Sequence, residues 1–194
     1  MIDARGYTLI DTLVVAALCS TLGAISVPVI GGALDRERTI IGARVLAGQL
    51  QRARFEALKR ARTVGMRLEV VADRTRMQLF LDGDGDGLRQ ADVDAGIDPP
   101  LTPLEFLDQH SRGVSLRINQ GITDAGGGSD IPAGADPLRI GNTALLAFSP
   151  LGSATSGTLY VAGHRGPQMA IRVFGATGRV RLLTFDAQAR QWRH

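Results

Sequence analysis

The sequence predicts an α+β fold. A long N-terminal α-helix, transmembrane in its first half, packs on a globular domain of antiparallel β-sheet. Three observations carry this reading. The 23 residues between Asp11 and Asp35 hold no charge. From Asp35 to Arg62 the apolar residues recur at three-and-four spacing. Beyond that, short alternating apolar runs are separated by glycine-bearing turns. A helix followed by many short strands is an α+β plan, the helix covering a sheet face that would otherwise meet water.

The uncharged run, TLVVAALCSTLGAISVPVIGGAL, would make a helix of roughly 34 Å, enough to cross a hydrocarbon core. Pro28, Gly31 and Gly32 weaken its C-terminal end and predict a kink or a melted turn there. A cleaved secretory signal fits poorly, because the run is too long and no Ala-x-Ala-like site closes it. In the polar continuation, Ile40, Ile41, Val45, Leu46, Leu50, Ala53, Ala57 and Leu58 mark the buried face. The resulting organisation is a leader at 1–6, a transmembrane and assembly helix at 7–34, its amphipathic continuation at 35–62, and a β-rich domain at 63–194.

Strands are expected at Val64–Val71, Met77–Leu81, Val114–Ile118, Ala144–Phe148, Thr158–Val161, Met169–Phe174 and Val180–Phe185. Asp73-Arg74 and Gly175–Gly178 read as hairpin turns. Gln120 to Asp136, glycine-rich with few apolar residues, reads as a mobile surface loop.

Composition narrows the function classes. With 44% hydrophobic and 21% charged residues, the chain is neither disordered nor a polytopic membrane protein. The single cysteine, Cys19, excludes an internal disulfide and reads as a packing residue of the apolar helix. His110 and His164 stand apart in loop-like sequence, and Asp108-His110-Ser111 is too local to be a catalytic triad. No enzyme is expected. Charge is unevenly spread: +5 over 35–62, −5 over 82–98 and +6 from Arg139 onward. All but one of the 22 basic residues are arginine, which fits phosphate contact or a genome-wide bias equally.

The string Arg5-Gly6-Tyr7-Thr8-Leu9-Ile10-Asp11 resembles the N-terminus of type IV pilins and type II secretion pseudopilins, with their Gly-Phe-Thr-Leu-Ile-Glu pattern. The resemblance implies cleavage by prepilin peptidase between Gly6 and Tyr7, methylation of Tyr7, and Pro28 at that family's characteristic proline position. It places Asp11 where the family carries glutamate, pairing with the N-terminal amine of a neighbouring subunit. The implied partners are other pilins or pseudopilins, the peptidase and the inner-membrane assembly platform, with the domain in the periplasm. The helix segment Leu50–Arg60 and the stretches Phe148–Gly152, Ser156–Tyr160 and Gly178–Arg181 resemble the GspH/FimT group of minor pseudopilins. The resemblance implies a filament subunit near the tip of a secretion pseudopilus or a pilus.

Two constellations carry possible ligands. Asp82, Asp84 and Asp86 with Gly87 resemble the start of a calcium loop, but Val93 stands where a bidentate glutamate belongs. A weak Ca2+ site and a solvated acidic turn are the two readings; no other cofactor is expected. Arg179 and Arg181 fall on one face of a strand, with Arg172 and Arg165 expected nearby. The resemblance to FimT-like minor pilins implies DNA contact there, in a competence pilus, acting on phosphates. Trp192 and Tyr160 are the candidates for base stacking. Solvated arginines, or arginines paired with a neighbouring subunit, are the alternative.

Overall fold

A computed structural model describes residues 8–141 and 143–193, with side chains described for all of these except 25–30. The chain divides into two compact units, Met1–Leu34 and Asp35–His194. Its elements in order are α1 (Leu9–Arg60), β1 (Val64–Val71), β2 (Arg74–Leu81), α2 (Gln90–Ala95), β3 (Glu105–Phe106), α3 (Leu107–His110), β4 (Ser115–Leu116), β5 (Ile122–Thr123), β6 (Asp130–Ile131), β7 (Leu138–Arg139), β8 (Leu145–Phe148), β9 (Gly157–Ala162), β10 (Met169–Phe174), β11 (Arg179–Asp186) and β12 (Gln191–Arg193).

In the first unit, α1 presents Leu9, Ile10, Leu13, Val14, Val15, Leu18 and Leu22 to the exterior. Cys19 is exposed as well. The hydroxyls of Thr12, Ser20 and Thr21 fold back onto the carbonyls of Leu9, Ala16 and Leu18, which keeps them bonded without water. Among the described residues no helix is long and apolar enough to cross a membrane. The side chains of 25–30, in the middle of the uncharged run, lie outside the described set. The helix expected over 12–34 is present; its membrane crossing is not shown.

In the second unit, α1 buries Ala43, Leu46, Leu50, Ala53 and Ala57. Ile41 and Leu58, read as inner-face residues, are instead 45% and 50% exposed. The apolar stripe is narrower than the spacing suggested and is built from small residues. Alanine at 43, 53 and 57 lets the sheets approach the helix closely. The helix closes in a Schellman pattern, Arg62 N–H donating to Ala57 O at 3.3 Å and Ala61 N–H to Leu58 O at 3.4 Å. Ala61 takes the left-handed conformation this closure needs, with φ 53°.

Two antiparallel sheets face this helix. One has strand order β3-β2-β1-β8; the other runs β12-β11-β10-β9-β4, with β7 also paired to β9. Alternation decides what each strand buries. Met66, Leu68, Met77 and Leu79 of the first sheet and Leu159, Val161, Ile171 and Val173 of the second meet the α1 residues in one core. The β1–β2 turn sits at Ala72-Asp73, both left-handed, one residue earlier than expected, and β2 starts three residues sooner than expected.

The expected mobile loop at 120–136 is corrected. β5 and β6 pair within it, and Ile122 and Ile131 are 0% and 2% exposed. They cover the outer face of the six-stranded sheet in a second core with Ile118, Tyr160, Ala170, Leu183 and Phe185. The loop is therefore a lid on the sheet, fixed by two isoleucines.

Candidate interaction surfaces

The outer face of the six-stranded sheet is split along its strands. Tyr160, Ala170, Leu183 and Phe185 form its apolar half under the β5–β6 hairpin. Toward the β10–β11 turn the same face becomes basic. Register places Arg139 opposite Thr158, Thr158 opposite Arg172, and Arg172 opposite Arg181. Directly opposed residues share a face, so three arginines and a threonine form one row across four strands. One step further on, Arg179 lies opposite Phe174.

The Arg172 and Arg181 guanidiniums stand 5.0 and 5.4 Å from the Phe174 ring centre. Such contacts offset part of the repulsion between two like charges set opposite each other. Arg172 also donates to the carbonyl of Ala125. Among the described residues no ion pair engages Arg139, Arg179 or Arg181. A cleft of about 460 Å³ opens beside the row, lined among others by Asp124, Arg139, Ser156, Thr158, Arg172 and Phe174. Chemically this surface suits an oxyanion.

The expectation of Arg179 and Arg181 on one face therefore holds geometrically, and Arg172 joins them. Arg165 does not. It lies in the β9–β10 loop, at the opposite end of β10 from Phe174, where its backbone N–H binds the Asp35 carboxylate. Arg139 was missed, since only the pairing of two-residue β7 with β9 reveals it.

Tyr160 and Trp192 are not stacking platforms. Tyr160 is fully buried; its hydroxyl donates to Asp124 at 2.9 Å and accepts from Ala125 N–H at 3.0 Å. Burial pushes its phenol well above the ordinary value, reinforced by Asp124. Trp192 Nε1 donates to Thr123 O at 2.7 Å, and its ring packs on Tyr160 and Phe185. Both rings close the second core.

The acidic loop is organised by two buried carboxylates. Asp82, 3% exposed, accepts from the N–H groups of Gly85 and Gly87, and Asp98, 0% exposed, accepts from those of Gly83 and Arg89. Carboxylate oxygens of Asp82, Asp84 and Asp86 lie within 4.8 Å of one another. Asp86 is raised by desolvation and by its neighbour Asp84, while Arg89 binds its carboxylate. Val93 is buried against Phe80 and Leu145, so it belongs to the core and offers no oxygen. Of the acids beside it, Asp94 is taken by Arg67 and Gln90, at 2.7 and 3.2 Å.

At the start of α1, Asp11 accepts from the N–H and hydroxyl of Thr8 at 3.0 and 2.8 Å, and Asp11 N–H donates back to Thr8 Oγ1 at 3.3 Å. Thr8-x-x-Asp11 is thus a capping box, a role for Asp11 that the sequence reading passed over. Gly6 and Tyr7 lie outside the described residues, as does the side chain of Pro28. Of the local Asp-His-Ser set, Asp108 binds Arg74, His110 faces Glu105, and Ser111 donates to Arg38 O. His110 sits in α3, contrary to its loop-like sequence.

A helix laid on antiparallel sheets is an α+β plan consistent with a pilin-like fold. The family model for the type II transport protein GspH matches residues 42–178, more than half of the chain. The chain belongs to the GspH family, whose members are pseudopilin subunits of type II secretion and type IV pilus machinery. No curated protein matches it, and no solved structure does.

Proposed function

We propose that this chain is a minor pseudopilin, cut between Gly6 and Tyr7 by prepilin peptidase, methylated at Tyr7, and built into a filament near its tip. Residues 12–34 hold it in the inner membrane before assembly, with the domain in the periplasm. The observation that carries this reading is the 23-residue uncharged run, led by the Gly6-Tyr7 string, in a chain of the GspH family. Assembly removes that run from lipid by packing it among the helices of neighbouring subunits. There Asp11 exchanges its Thr8 partners for the amine of an adjacent chain, since a carboxylate in such a bundle is costly unless paired. Mass spectrometry of the protein from cells with a working peptidase tests this. A mature chain starting at methylated Tyr7 is expected; Met1–Gly6 still attached would reject it.

A second reading, a DNA-binding minor pilin of a competence pilus, is favoured by the arginine row. It is tested by DNA retention on the purified chain. Retention at low salt that falls as salt rises is expected, and no retention at low salt rejects it.

A further inference from the structure

At the start of the second unit, two loops close around one turn of α1. Gly163 N–H donates to Thr39 Oγ1 at 3.1 Å, Arg165 N–H binds the Asp35 carboxylate, and Thr39 Oγ1 donates to Asp35 O at 2.8 Å. From the other loop, Ser111 Oγ donates to Arg38 O at 2.6 Å. The fit leaves no room for side chains: a Cβ on Gly166 would meet Thr39 Oγ1 at 2.1 Å, and one on Gly42 would meet Val114 at 2.7 Å.

This clamp gathers four exposed arginines from three segments. Arg36 and Arg38 come from α1, Arg112 from the loop before β4, and Arg165 from the β9–β10 loop beside exposed His164. Among the described residues none of the four has an ion pair, whereas Arg74, Arg76 and Arg117 elsewhere do. The nearby acids are mostly committed. Asp35 is held by the Arg165 amide, and Asp186 by the amides of Gln188 and Ala189 and by Arg193. Glu37 is exposed. Asp35 and Glu37 keep their charge, so set against the four arginines the collar is left at a formal +2, and it begins directly after the last uncharged residue of the run, Leu34.

We propose that this collar binds an anionic lipid surface, docking the domain on phospholipid headgroups until the subunit leaves the membrane. The inference rests on the membrane-held reading above. Chain connectivity keeps Arg36 and Arg38 within about 6 Å of helical rise from Leu34. Arginine suits that depth, its stem lying along apolar surface while the guanidinium reaches phosphate. At an anionic bilayer surface each basic residue strengthens attachment about fivefold, so the contact requires acidic phospholipid in the leaflet that the domain faces.

The test uses the full-length chain reconstituted in vesicles of phosphatidylcholine alone or mixed with phosphatidylglycerol. Arginines are labelled with a dicarbonyl reagent and mapped by mass spectrometry, and retention after an alkaline wash is scored separately. Labelling of Arg36, Arg38, Arg112 and Arg165 should be severalfold slower in the anionic vesicles than in the neutral ones. Arg179 and Arg181 should label equally in both. Equal labelling of the collar in the two lipids, or equal protection of Arg179 and Arg181, overturns the proposal. A chain that washes off neutral vesicles but keeps a protected collar on anionic ones supports the collar and removes the spanning helix. Loss from both on washing rejects the spanning helix, and the labelling before the wash then decides the collar by itself.

Discussion

Tyr160 shows how one polar atom in an apolar layer sets a pH limit. Its hydroxyl is satisfied only as a donor to Asp124 and an acceptor from Ala125, so ionisation would place an anion beside a carboxylate. Its folded value lies above the unfolded one, so stability is intact below about pH 10 and falls as the unfolded chain begins to ionise. Alkaline unfolding monitored by circular dichroism should therefore be blunted in Tyr160→Phe. Glu69 works in the opposite direction. Arg76, and after it Arg67, hold its carboxyl below the usual range. Its contribution is present above about pH 4.5 and is lost as pH falls through the lowered folded value. Glu69→Gln should flatten the acid limb of the denaturation midpoint; an unchanged acid limb would show the pair to be inert.

At the level of elements, legibility followed period. β1 was read to the residue and β10 equally so, because each alternates cleanly and buries one face on α1. The β5–β6 hairpin was missed because its strands are two residues long and sit among glycines, too short for any period to show. Its stability comes from long-range contact, so Ile131→Ala should cost about 2–4 kcal/mol in urea denaturation. A mobile loop would show no change. The end of α1 offers a gain instead. Ala61 occupies a left-handed closing position that glycine fills without strain. Ala61→Gly should raise stability by roughly 0.5–1 kcal/mol, the relieved strain exceeding the added freedom of the unfolded chain. The arginine row was half legible. Alternation puts Arg179 and Arg181 together, but Arg139 and Arg172 join them only through strand order, which the sequence does not spell out.

Across the whole second unit, one sheet carries two unlike surfaces: a face spent on the α1 core, and an outer face shared between the hairpin lid and the arginine row. Stability and anion contact are thereby placed on separate residues, which makes them separable by substitution. Among the described residues Arg139, Arg179 and Arg181 make no ion pair, and Arg181 faces the like charge of Arg172. Replacing all three by alanine should leave the urea midpoint within about 0.5 kcal/mol of the parent, since surface changes away from structural contacts cost little. Ile131→Ala should do the reverse, lowering the midpoint while the arginine row keeps its charge. If the row meets DNA phosphates, the logarithm of affinity falls with the logarithm of salt by about 0.9 per phosphate neutralised. The triple variant should then shallow that slope by as many steps as arginines engaged, uniformly across DNA sequences, because phosphate contacts carry no base readout. A slope unchanged in a variant of parental stability would take DNA off this face and leave the row to an oxyanion of a neighbouring subunit.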